Sequence, residues 1–268
     1  MNVKKEAGKM APEYFIVAEF RGLFEQVGEL TLFCTRFIKT AVKPPYEFSE
    51  IANQSYLIGY KSFPLVAITA FIIGLVMTLQ SGPTLATFGA ESWLPAMVSI
   101  SIIREIGPVI TALICAGKSG SGIGAEIASM RVSEQIDAME VSGINPFKYL
   151  VVTRVLAATF MIPLLVILGD VVSITGVFIA VNLTGHITLH LYVAQVLQKL
   201  MFLDLFPAFI KTFFFGFAIG LIGCYQGYHS EDGTQGVGKA ANSSVVLSSL
   251  LIFLIDGIAV QISTGLGK

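Results

Sequence analysis

Four ionisable side chains stand inside runs that are otherwise apolar: Arg104 and Glu105, Lys211, and Asp256. A charge at the centre of a bilayer costs about 2.5–3.5 kcal/mol on insertion scales, so such residues persist where they pair or meet water. Two positive and two negative groups can cancel within one polar cluster. That cluster would either serve a translocation path or staple membrane helices together. Asp170, in another apolar run, is a weaker fifth candidate or a residue simply near the outer interface.

Other candidate chemistry is thinner. The tract Gly117-Lys118-Ser119-Gly120-Ser121-Gly122-Ile123-Gly124 contains Gly-Lys-Ser, but a phosphate-binding loop needs glycine at 112, where Ala112 stands, and a preceding strand. Its glycines suit close helix approach, as do Gly216-x-x-x-Gly220 and Gly223-x-x-x-Gly227. His186 and His190 have metal-ligand spacing without an acidic or cysteine companion nearby, and read as surface polarity. Cys34, Cys115 and Cys224 lie far apart and read as small hydrophobes. No catalytic residue, metal site or cofactor is assigned to the chain, and its scattered basic residues do not suggest nucleic acid.

The elements that position the charges are membrane spans. The 268 residues are 54% hydrophobic and 13% charged, with mean hydropathy +0.76, against about 25% charged in soluble domains. Apolar runs of spanning length predict five transmembrane helices: 63–80, ended by Gly82-Pro83; 94–117; 149–181; 206–225; and 243–262. A surface helix is expected over 182–205. Residues 1–18 read as a flexible tail without a signal peptide. Residues 19–43 have helical apolar spacing opposite a charged face, and predict an amphipathic helix in the membrane interface, stopped by Pro44-Pro45. The five-span domain then occupies 44–268.

With the N-terminus cytoplasmic, thirteen of the seventeen Lys and Arg residues fall on the cytoplasmic side and two outside. The expected topology is N-terminus in, C-terminus out. Between the second and third spans, Ala125 to Val141 predicts one helix. Ile127, Met130, Ile136, Met139 and Val141 supply its apolar contacts; Glu126, Arg131, Glu134, Gln135, Asp137 and Glu140 supply a charged surface. A cytoplasmic partner could dock there.

The block REIGPVITALICAGKSGSGIGAEIASMRVSEQIDAMEVSGINPFKYLVVTRVLA resembles the MlaE-type (YrbE-type) permeases, as do Gly74-Leu75-Val76, Leu79-Gln80, GCYQGY from Gly223 and GVGKA from Gly236. These are membrane subunits of ABC transporters that move phospholipids in double-membraned bacteria. Lys118 departs from the arginine many relatives carry.

The resemblance implies an all-α homodimeric permease of the bacterial inner membrane. Its partners would be a cytoplasmic ATPase, which binds the ATP and Mg, and a periplasmic MCE-domain lipid carrier. It implies that Ala125 to Met139, with Met130, is the coupling helix. Arg104, Glu105, Lys211 and Asp256 would form a polar network below a lipid cavity, and Met77, Leu79 and Phe88 would line that cavity. On the residues alone, an ion-coupled secondary transporter using intramembrane carboxylates remains an alternative. A lipid-headgroup enzyme would need a nucleophile or metal set that the sequence does not display.

Overall fold

A computed structural model describes residues 12–184, 187–200, 202–231 and 233–266. The chain divides into a unit ending at Pro45 and a second beginning at Tyr46. The first contains helix α1 (Pro12–Ala41), which starts seven residues before the position expected from its amphipathic pattern. Val27 and Ile38 on its apolar stripe are exposed.

Among the described residues of the second unit, five helices are long and apolar enough to cross a membrane. These are α2 (Phe48–Thr87), α3 (Glu91–Val132), α5 (Phe147–Leu183), α7 (Phe202–Tyr228) and α8 (Thr234–Leu266). Two short helices complete it, α4 (Gln135–Val141) and α6 (Leu189–Lys199). No strand occurs among the described residues. The spans are the expected five, but the helices outrun their apolar runs, because regular backbone hydrogen bonding continues beyond the hydrocarbon.

Three boundaries differ from expectation. Gly82-Pro83 does not end the first span; the helix carries Pro83 inside it and stops after Thr87. The glycine-serine tract is helical throughout, so α3 continues unbroken to Val132. The segment 182–205 divides, with α5's helical residues reaching Thr184 and α6 covering only Leu189–Lys199. Of the histidine pair, His186 lies outside the described residues.

Helix α5 is central and packs most extensively against α2 and α7. Small residues permit this. A Cβ on Gly220 would lie 2.9 Å from the Val155 Cα, and one on Gly216 2.5 Å from the Ala158 carbonyl oxygen, so α7 seats backbone-to-backbone on α5. One turn on, Gly223 and Gly227 meet Gly120, Gly124 and Ile127 of α3 in the same way. Both Gly-x-x-x-Gly pairs therefore act as helix contacts.

Candidate functional site

The geometry of the charged cluster begins with a proline. Pro108 has no N–H, and its ring would collide with the carbonyl four residues back, that of Arg104. The helix accommodates this with one wide turn over Ile102–Ile106, in which Gly107 N–H donates to the Ile102 carbonyl, five residues away. Wide turns of this kind recur at functional positions. This one carries Arg104 and Glu105.

From α7, Lys211 reaches into the same region, 3% exposed. Its Nζ donates to Glu105 Oε2 at 2.5 Å and to Asp256 Oδ1 of α8 at 2.8 Å. Arg104 Nε lies 3.9 Å from Glu105 Oε1. The structure thus joins all four sequence-predicted charges, through contacts among α3, α7 and α8. Lys211 is the hub, because it is the more deeply buried of the cluster's two cations and holds two carboxylates. Beside it an apolar groove of about 440 Å³ opens between α7 and α8, lined by Phe206, Ile210, Phe214, Ile258 and Ile262, with Lys211 at its edge.

The residues expected to line a lipid cavity are placed differently from one another. Met77 is partly buried against the cluster of Leu94, Val98, Ile102 and Val177, inside the bundle. Leu79 is 40% exposed and Phe88 80% exposed, on the outside of α2 and beyond its end. None of the three borders the α7–α8 groove.

At the opposite end of α3, the expected single helix Ala125–Val141 is broken. Glu134 takes a left-handed backbone, φ 58°, and Ser133-Glu134 form an elbow between α3 and α4. Ile136 is fully buried and anchors the elbow, while Glu134, Gln135, Asp137 and Glu140 are exposed. Met130 is half-buried. Arg131 reaches across the elbow to Asp137 at 3.5 Å. Val141, expected to make apolar contact, is instead 91% exposed, because the break turns the end of α4 outward.

Glu126 does not belong to that open surface alone. Its Oε1 accepts from Nη2 of Arg154 at 2.8 Å, and Arg154 is 2% exposed on α5. Arg154 Nη1 also donates to the Leu150 carbonyl at 3.1 Å. From the sequence alone Arg154 is one of the thirteen cytoplasmic basic residues. The available signal was its place inside the apolar run 149–181, where an arginine requires a partner.

The Gly-Lys-Ser tract spends its polar groups on packing. Lys118 Nζ donates to the Lys61 carbonyl, and the Ser119 hydroxyl pairs with that of Ser62 at 3.3 Å, both on α2. Near the far end of the bundle, Tyr192 of α6 donates to the Ile174 carbonyl at 3.0 Å and shares a 3.1 Å hydrogen bond with Ser99. Burial pushes the Tyr192 phenol up, opposed by the Ser99 hydroxyl. No group of metal-binding residues occurs among the described residues.

A bundle of five long apolar helices, with paired charges inside it, defines a multi-pass membrane protein. The chain matches the family described as Permease MlaE over residues 51–262 and belongs to that family. It is similar to a probable ABC transporter permease protein of Rickettsia typhi, 40% identical over 230 residues that cover 86% of this chain and 89% of the relative. A counterpart from Rickettsia prowazekii is 41% identical over the same coverage. Another from Synechocystis is 35% identical over 202 residues, 75% of this chain and 77% of the relative. The chain is thus an ABC transporter permease of the MlaE family, as its central block suggested.

Proposed function

We propose that this chain is the membrane subunit of a transporter that moves phospholipids between the bacterial inner membrane and a periplasmic MCE-domain carrier. A separate cytoplasmic ATPase binds ATP and Mg and supplies the energy. Two copies assemble through the apolar faces of α7 and α8, and their grooves form a cavity sized for acyl chains. The N-terminus and the α3–α4 elbow are cytoplasmic; the C-terminus is periplasmic. α1 lies in the inner-leaflet interface.

One observation carries the reading: elbow and charged cluster belong to the same helix. Glu105 and Val132 are 27 residues apart on unbroken α3, about 40 Å at 1.5 Å per residue. An ATPase gripping Glu134, Gln135, Asp137 and Glu140 would shift α3 and, with it, the turn holding Glu105. Arg154 pairs with Glu126 and couples the base of the elbow to central α5. The exposed apolar side chains of α8, including Val246, Leu250, Phe253 and Ile258, suit a second copy and lipid.

The test is lipid transfer in proteoliposomes containing the ATPase and the carrier. Asp256→Ala and Glu105→Ala are expected to impair transfer, and an ATPase and an MCE-domain protein are expected to co-purify in mild detergent. Unimpaired transfer by both variants would remove the cluster's role. Gradient-driven transport by the purified chain alone would favour the ion-coupled alternative.

A further inference from the structure

Helix α5 carries a half-buried acid that the Lys211 cluster leaves untouched. Asp170 is 13 residues from the Leu183 end, about 20 Å along the axis, and sits among α2, α3 and α7. By sequence it is either a further candidate or an interfacial residue; the structure places it between helices of the bundle.

Asp170 Oδ1 is buried without a hydrogen-bond partner. It lies against Gly107, where any Cβ would collide with it, so that glycine makes the room the carboxyl occupies. Ser173, nearly one turn along α5 and 2% exposed, also has a buried hydroxyl without a partner. Both line one pocket of about 10 Å³ with Thr69 of α2 and Thr111 of α3. A wider cavity of about 210 Å³ reaches Asp170 from its other side, between Pro108, Val166 and Phe209.

Among the described residues no countercharge pairs with it. Helix α2 has no charged residue between Ser62 and Ala90, and α5 has no other beyond Arg154. Arg104 and Glu105 of α3 and Lys211 of α7 belong to the neighbouring cluster. Among the described residues Asp170 makes no ion pair. A bare carboxylate at this depth is costly, and one positive unit would neutralise it.

We propose that Asp170, Ser173 and Thr111 form a binding site for one small monovalent cation, a proton or a sodium-sized ion. The pocket holds a single water-sized species. One carboxylate with hydroxyl oxygens matches a single positive charge, whereas divalent ions draw on more carboxylates or retain several waters. Gly107, seated against Asp170, also closes the wide turn that carries Arg104 and Glu105. Loading of the site therefore bears on the charged cluster.

The experiment is infrared difference spectroscopy, wild type minus Asp170→Asn, in lipid nanodiscs at neutral pH without sodium. A protonated-carboxyl C=O band from one residue per chain, absent from the variant, assigns the proton. A carboxylate band that shifts with sodium chloride but not choline chloride assigns sodium. In either case Ser173→Ala should shift the band, because the hydroxyl beside the carboxyl is gone. A carboxylate band indifferent to both pH and sodium, or no band attributable to Asp170, would overturn the proposal.

Discussion

Replacing Lys211 with methionine removes the hub of the cluster while keeping the volume of its apolar stem. Glu105 and Asp256, whose oxygens lie 2.5 and 2.8 Å from Nζ, would then face each other without a cation between them. Removing one partner of a buried ion pair costs about 3–5 kcal/mol, mostly through the charge left behind. Here the two carboxylates are 34% and 20% exposed, so water screens part of the penalty. A loss of about 2–3 kcal/mol is expected, or roughly 30- to 150-fold in the folding equilibrium at 1.4 kcal/mol per decade. Thermal unfolding in detergent, followed by tryptophan fluorescence and aggregation, gives the comparison. The decisive control is the triple variant Lys211→Met, Glu105→Gln, Asp256→Asn, in which no unpaired charge remains. It should regain most of the lost stability without regaining transport. A Lys211→Met protein as stable as wild type, or a triple variant no more stable than the single one, would refute the electrostatic reasoning.

The Arg154–Glu126 pair should respond asymmetrically, because Arg154 is buried and Glu126 is half exposed. Glu126→Ala strands a buried guanidinium and should cost about 3 kcal/mol, whereas Arg154→Leu leaves a solvated carboxylate and should cost about 1; equal costs in thermal unfolding would contradict the burial argument. Gly220→Val should destabilise by more than about 2 kcal/mol by forcing α7 off the Val155 backbone. Gly122→Ala, with nothing within 4 Å, should be tolerated. At the elbow, Glu134→Gly should raise the unfolding temperature slightly by relieving the left-handed backbone. Glu134→Val should lower it by the equivalent of about 1–2 kcal/mol; a reversed order would show that the elbow is not held in that conformation.

The membrane class, the number of spans and the identity of the four clustered charges were legible in the chain. Each depends on local composition: a run without charge must leave water, and a charge within it must find a partner. Gly216, Gly220, Gly223 and Gly227 were legible for the same reason, since their four-residue spacing puts small residues on one helical stripe. What the chain did not display was set by neighbours distant in sequence. That Lys211, and not Arg104, is the hub depends on how α7 seats between α3 and α8. Arg154 looked like a loop charge until α3 brought Glu126 to it across 28 residues. Pro83 looked like a helix end, yet the helix continues through it to Thr87, and Glu134 looked helical until the chain turned to bury Ile136. Asp170 read as either a further candidate or interfacial, because hydropathy carries no information on which side chains face inward. Packing of the surrounding helices decided that, by burying one carboxyl oxygen among side chains that, among the described residues, bring it no ion pair.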